Sequence, residues 1–230
     1  MWTWLPTLAL LAAPATVEVP FPPEEVLRYL IAWPSGLDVG EATLSASLSE
    51  GSEPGWSFAF RMDAAIPGFG VSDEYRAKAS PGLCSAQLEK KLRHGKREAR
   101  EETTFDRRAQ KATRKTLEGG GSSQFEIPEC PMDALTYLYH ARRELDRGRI
   151  PPPQTVYFGA PYKITLQSAG TLQVMLRGEN IDADQFTATV QGPASEVSFV
   201  LVVARDEART PVRITVPFEP GNFTMELAEE

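Results

Sequence analysis

The stretch IPECPMDALTYLYHARREL, residues 127–145, decides how the rest of this chain is organised. Pro131 suits the first position of a helix, where the missing N–H of proline is no loss, and Asp133 places negative charge in the first turn. Apolar side chains then recur at three- and four-residue spacing on more than one side of the segment. The stretch therefore predicts a helix that needs to be buried on several sides.

Almost all of the remaining sequence predicts β-strands. The clearest period-two pattern places Trp56, Phe58, Phe60 and Met62 on one face of a strand. Strands are predicted over residues 24–33 (which also fit a short helix), 39–48, 56–66, 71–79, 124–127, 155–167, 171–178, 185–191, 196–206, 209–218 and 222–227, with long hairpins between 84 and 125 and turns at 68–70, 168–170, 191–193 and 220–221. The predicted fold class is mainly β, with about a dozen antiparallel strands forming a curved open barrel or spiral around one main α-helix.

Composition and charge limit the classes of partner. The 230-residue chain has a formal net charge of -7, and 11 of its 24 Lys and Arg residues lie between residues 84 and 125, among interleaved acidic residues and few aromatic ones. A nucleic-acid-binding face needs an unbalanced basic surface with interleaved aromatic residues. We therefore expect the outer faces of these hairpins to be solvated by mixed charges, and we expect no nucleic-acid partner.

The N-terminus has most features of a secretory signal. An apolar run from Trp4 to Leu11 precedes Ala13-Pro14-Ala15, a small-x-small cleavage pattern, although no Lys or Arg comes before the run. We expect residues 1–15 to be a signal peptide cleaved after Ala15, and residues 16–230 to form a single β-rich domain. No later apolar run is long enough to span a membrane. The mature chain is therefore expected in the periplasm, or otherwise exported to the cell envelope, without a transmembrane segment.

The chain contains two cysteines, Cys84 and Cys130. In an exported protein such a pair commonly forms a disulfide, which here would tie the start of the charged hairpins to the entrance of the predicted helix. The alternative is two buried thiols.

Two stretches resemble a known family. Residues 133–142 followed by Gly148 resemble the helix segment of domain of unknown function 3108, an uncharacterised family of exported bacterial proteins, and residues 206–213 resemble its C-terminal signature. Residues 27–30 and 40–43 resemble its first hairpin. The positions that match these motifs are Asp133, Leu135, Tyr139, Arg142, Asp206, Arg209 and Pro211. The resemblance implies an exported, mostly β protein with no established catalysis or cofactor.

The charged residues of these motifs have a structural and a functional interpretation. Asp133 suits the exposed amides of a helix start, Arg142 suits an acidic residue on the enclosing sheet, and Asp206 with Arg209 suits a turn before Pro211. The functional alternative is a carboxylate–arginine pair that binds an anionic ligand.

Motifs for catalysis or metal binding are not found in the sequence. His94 and His140 are the only histidines, and neither has the spacing of a zinc site. No Gly-x-Ser-x-Gly elbow occurs, so no catalytic, cofactor-binding or metal-binding residue is predicted.

An incompletely closed sheet around a helix can enclose an apolar cavity. The aromatic residues expected near such a cavity, or else filling the core, are Trp33, Trp56, Phe58, Phe60, Tyr137 and Tyr139. The leading functional hypothesis from sequence is a non-catalytic binding or scaffold module with an envelope protein partner. A carrier of a lipid-like or other apolar ligand ranks second, and a hydrolase-type enzyme third.

Overall fold

The computed structural model describes residues 18–50, 54–66, 69–218 and 221–228. Within these ranges the chain forms one α-helix and a single sheet of 15 strands. In chain order the elements are β1 (Glu24–Ala32), β2 (Asp38–Ser49), β3 (Gly55–Ile66), β4 (Phe69–Ala79), β5 (Ser85–His94), β6 (Arg97–Asp106), β7 (Lys111–Thr116), β8 (Ser122–Glu126), β9 (Met132–Asp133), α1 (Ala134–Asp146), β10 (Gln154–Tyr157), β11 (Pro161–Leu176), β12 (Glu179–Gln191), β13 (Glu196–Ala204), β14 (Pro211–Phe218) and β15 (Gly221–Leu227). The predicted signal segment with Ala15, and Gly68 and Pro220 of two predicted turns, lie outside the described residues.

The sheet consists of two meanders that are joined by pairing of β1 with β15, and its strands are antiparallel except for the parallel pair β9 and β10. Its order is β8-β7-β6-β5-β4-β3-β2-β1-β15-β14-β13-β12-β11-β10-β9, and β1 pairs with β15 from Tyr29–Leu227 to Ala32–Thr224. The edge strands β8 and β9 follow each other in the chain, but no ladder joins them in the part that the structure describes. The prediction of a mainly β, curved and open barrel around one helix is therefore confirmed.

The helix begins later than the sequence predicted. Pro131 is not its first residue, because Met132 and Asp133 are held extended as β9, in parallel pairing with β10, and the carbonyl of Pro131 accepts a hydrogen bond from the amide of Ser85 at 2.8 Å. Asp133 is the N-cap, and the helix starts at Ala134. It ends before Gly148, whose φ of +71° suits glycine.

One predicted turn is a β-bulge instead. β11 runs without a break through residues 168–170, where its register against β12 shifts between Ser168 and Gly170. An extra residue in one strand bends it without ending it, and Gly170 takes a φ of +119° there. The predicted strand over residues 155–167 is instead interrupted by a tight turn through residues 158–160, which separates β10 from β11.

The helix lies against the concave face of the sheet, and one hydrophobic core forms on each side of the helix. In the first, the Tyr139 ring stacks on Phe58 with 4.2 Å between ring centroids. In the second, Tyr137 packs against apolar residues of β10–β13, including Val156 and Leu201. A third, smaller cluster around Val202 lies on the opposite face of β13, since neighbouring residues of a strand point to opposite faces.

The charged hairpins carry buried as well as exposed charged side chains. Their outer faces are exposed, but Lys90 and Glu101 lie on the inner face, where their side chains are 9% and 11% exposed. They are covered because the turn after β10 packs over them, with the Lys90 ammonium 4.2 Å from the centre of the Phe158 ring. Cys84 and Cys130 form a disulfide, which ties the start of β5 to the entrance of the helix.

Candidate functional site

Arg142 lies in a buried ion pair rather than at an open anion site. Its guanidinium donates to both carboxylate oxygens of Glu25, at 2.6 and 2.7 Å, and its residue is 1% exposed. Arg142 also donates to the carbonyls of Ala208, at 2.8 Å, and Arg209, at 3.1 Å. Although burial alone would lower it, the pKa of Arg142 is raised by Glu25. The guanidinium thus joins α1, β1 and the turn after β13.

The remaining residues of the C-terminal motif build that turn. The carboxylate of Asp206 accepts hydrogen bonds from the amide of Thr210, at 2.8 Å, and from its hydroxyl, at 2.6 Å. Arg209 has a φ of +50° and pairs with Asp184 at 3.3 Å. The carbonyl of Pro211 accepts a hydrogen bond from the buried hydroxyl of Tyr29 at 2.8 Å. These contacts connect the turn to β12 and β1.

Asp133 is fully buried at the helix start. One carboxylate oxygen accepts from the amides of Leu135 and Thr136 at 2.9 and 3.0 Å, and the other from the hydroxyls of Ser85 and Thr136 at 2.6 and 2.7 Å. Burial raises the pKa of Asp133, and these hydrogen bonds oppose the rise. The Ser85 contact was not predicted; the one signal that could have indicated it is that Ser85 follows Cys84, which pairs with Cys130.

An apolar cavity of about 530 Å³ lies beside the helix. One face of α1 forms one wall, and the two halves of the sheet form the others. Its lining side chains are apolar or aromatic and none is charged: Phe60, Tyr75, Ala134, Leu135, Tyr137, Leu138, Ala141, Val156, Phe158, Tyr162, Ile164, Leu166, Ala188, Val190, Phe199, Leu201, Ile214, Val216 and Met225.

The structure divides the six aromatic residues that the sequence associated with a cavity. Phe60 and Tyr137 line it. Trp56, Phe58 and Tyr139 fill the first core instead, because Tyr139 points to the side of the helix that faces β3.

Trp33 also lies away from the cavity, with its ring edge-on to Phe223 at 4.8 Å. Nine of the 19 lining residues come from β11–β14, and none of these nine was predicted. The alternation of Ile164 with Leu166 and of Phe199 with Leu201 was the signal that could have indicated it.

Two of the three tyrosines that line the cavity, Tyr75 and Tyr137, differ in their hydrogen bonding. The hydroxyl of Tyr75 donates to Asp73 at 3.0 Å. The hydroxyl of Tyr137 is buried and has no hydrogen-bond partner among the described residues. Burial raises the pKa of Tyr137 to about 12, so its phenol is a neutral donor at physiological pH.

A family model described as "Protein of unknown function (DUF3108)" matches residues 28–228. The chain belongs to the DUF3108 family. No curated protein compared with it matches. The fold of this DUF3108 protein is similar to that of a beta-barrel-like protein of domain of unknown function DUF1849 from Brucella abortus, with a TM-score of 0.65 and 9% sequence identity over 92% of this chain and 98% of the other. At that identity the likeness concerns the fold alone.

The two histidines of the DUF3108 protein have different contacts. His94 contacts Asp73 at 2.8 Å. His140 is 8% exposed and contacts Arg143 at 2.9 Å and Gln154 at 3.2 Å. Burial, reinforced by the charge of Arg143, lowers the pKa of His140 to about 4. No group of three or more His, Cys, Asp or Glu side chains that could hold a metal occurs within the described ranges.

Of the helical structure described, none is long and apolar enough to cross a membrane.

Proposed function

We propose that this DUF3108 protein binds an apolar, lipid-like molecule in the cavity beside the helix and carries it outside the cytoplasm without changing it chemically. The observation that supports the proposal is the cavity itself. Its volume of about 530 Å³ falls in the range of small-molecule sites, and its lining is apolar. Transfer of an apolar molecule from water into such a site is favourable roughly in proportion to the area that it buries.

The proposal reverses the order that the sequence suggested, in which a protein partner ranked ahead of an apolar ligand. A stable protein interface needs a contiguous patch. The large apolar side chains exposed in the described residues are spread over β1, β11, β13, β14 and three loops. The cavity is therefore the better-supported site.

Export is part of the same proposal. A disulfide persists in the oxidising environment outside the cytoplasm, and the Cys84–Cys130 bond supports such a location. A carrier in an aqueous compartment also needs to shield its ligand from water, which a cavity between sheet and helix does.

Binding of 1-N-phenylnaphthylamine, whose fluorescence rises in an apolar site, tests the proposal. The purified protein should bind the dye saturably, and Val190→Lys, which places a charge in the lining, should weaken binding about tenfold or more. Ile214→Trp, which narrows the cavity without adding charge, is a second variant in case Val190→Lys does not fold.

The matched control is Val26→Lys, since Val26 is 55% exposed on β1 and does not line the cavity. It should bind the dye like the unmodified protein. Equal dye binding by the unmodified protein and by folded Val190→Lys and Ile214→Trp variants would show that the cavity is not the binding site.

A further inference from the structure

The hydroxyl of Tyr137 differs from those of four other tyrosines of this chain. Tyr137 is 4% exposed and lines the cavity, yet its oxygen has no hydrogen-bond partner in the described residues. Four other tyrosines each donate to an acceptor at 2.8–3.3 Å. These pairs are Tyr29 with Pro211, Tyr75 with Asp73, Tyr139 with Glu25 and Tyr157 with Glu126.

An unpartnered buried hydroxyl is unfavourable, since it has lost its hydrogen bonds to water and gained none in return. No described residue accepts a hydrogen bond from Tyr137, and its neighbours in the second core are apolar side chains of β10–β13. A phenylalanine would fill the same space without this cost. A tyrosine is useful at this position when the acceptor arrives with a ligand and the buried hydroxyl shifts to meet it.

We infer that Tyr137 is the polar anchor of the cavity, where its hydroxyl donates a hydrogen bond to an uncharged ester or carbonyl oxygen on an otherwise apolar ligand. This inference rests on the proposed function and specifies the chemical class of the ligand. The acceptor is uncharged because no cationic side chain lines the cavity, and an unpaired carboxylate would be costly to bury there. A single hydrogen-bond donor fixes the orientation of the bound molecule, because the apolar contacts of the rest of the wall are not directional.

Two competitors of similar size, methyl decanoate and dodecane, distinguish hydrogen bonding by Tyr137 from apolar binding by the rest of the cavity wall. Each is titrated against bound 1-N-phenylnaphthylamine in the unmodified protein and in Tyr137→Phe. Removing the hydroxyl should weaken the binding of methyl decanoate about fivefold relative to the binding of dodecane. A change of this size corresponds to the loss of one hydrogen bond of typical net strength. Dodecane should bind Tyr137→Phe at least as well as it binds the unmodified protein.

Tyr157→Phe is the matched control, because Tyr157 is equally buried, its hydroxyl donates to the Glu126 carbonyl at 3.3 Å, and it does not line the cavity. It should leave the ratio of the two affinities unchanged. An equal ratio in Tyr137→Phe and the unmodified protein would overturn the anchor while leaving the apolar-ligand function in place. Failure of both competitors to displace the dye would overturn that function and the anchor with it.

Discussion

At the scale of single residues, the Arg142 guanidinium holds together three parts of the chain that are distant in sequence. Arg142 lies on α1, and its guanidinium contacts Glu25 on β1 and the carbonyls of Ala208 and Arg209 after β13. A buried ion pair adds little net stability compared with a well-packed apolar pair, but breaking one side of it is costly. The pair therefore fixes where the helix sits in the sheet.

Arg142→Met should lower the free energy of unfolding by about 3–5 kcal/mol, because it leaves the buried Glu25 carboxylate without its partner. Urea unfolding followed by tryptophan fluorescence measures the change. The double variant Glu25→Leu/Arg142→Met is the control and should recover much of the lost stability. A double variant that is no more stable than Arg142→Met would contradict this account of the pair.

His140 makes stability depend on pH. Its pKa is lowered from 6.5 to about 4 in the folded protein, chiefly by burial, so the unfolded chain binds the proton more tightly than the folded one. Its contribution to stability is complete above the ordinary histidine pKa and is lost as pH falls towards 4. The urea midpoint should therefore drop between about pH 7.5 and pH 5, a window that lies above most carboxyl titrations.

His140→Gln should make the urea midpoint less dependent on pH over the same window, since glutamine does not titrate. An unchanged slope in this variant would show that other groups cause the pH dependence.

At the scale of secondary-structure elements, the disulfide ties β5 to the start of α1. Cys84 and Cys130 are separated by 46 residues, and the Ser85 amide donates to the Pro131 carbonyl beside them at 2.8 Å. The same junction contains the Ser85–Asp133 hydrogen bond that helps to cap the helix. The helix start is thus anchored by a covalent bond, a backbone hydrogen bond and a side-chain hydrogen bond.

Replacing both cysteines by alanine should lower the free energy of unfolding by about 4 kcal/mol, because the unfolded chain regains the freedom of a long closed loop. Unfolding of Cys84→Ala/Cys130→Ala and of the unmodified protein in urea gives the difference. The unmodified protein with added reductant is the control and should approach the variant. A change below about 1 kcal/mol would mean that the other contacts of the junction position the helix without the bond.

Elements with strong local signals could be predicted from the sequence. The period-two pattern from Trp56 to Met62 gave β3, and Gly148 gave the end of the helix. The start of the helix was misplaced because Pro131 is a local signal, whereas pairing of Met132 with Val156 on β10 is a long-range one.

The bulge at Gly170 was predicted as a turn for a related reason. A glycine with positive φ fits both structures, and only pairing with β12 distinguishes them. The Ser85–Asp133 contact and the side of the helix that faces the cavity also depend on how the sheet curves. Propensity and spacing carry little information about that curvature.

Across the molecule as a whole, the described sheet is open, because its edge strands β8 and β9 are not paired with each other. An open sheet leaves interior space that a small closed barrel would fill with side chains. The helix occupies part of this space, with Tyr139 in the first core and Tyr137 at the cavity. The remaining volume of about 530 Å³ is apolar, and its lining includes Tyr137, whose buried hydroxyl has no partner among the described residues. The architecture thus accounts for both the size and the chemistry of the proposed site.

Native mass spectrometry of the protein, purified gently from the envelope fraction of its own cells, shows whether it carries an apolar ligand. We expect a chain that has lost two hydrogens to the Cys84–Cys130 bond and carries a lipid-sized adduct, which is released when the protein is unfolded. An oxidised chain without an adduct, accompanied by a specific protein partner, would contradict the proposed function and favour a scaffold.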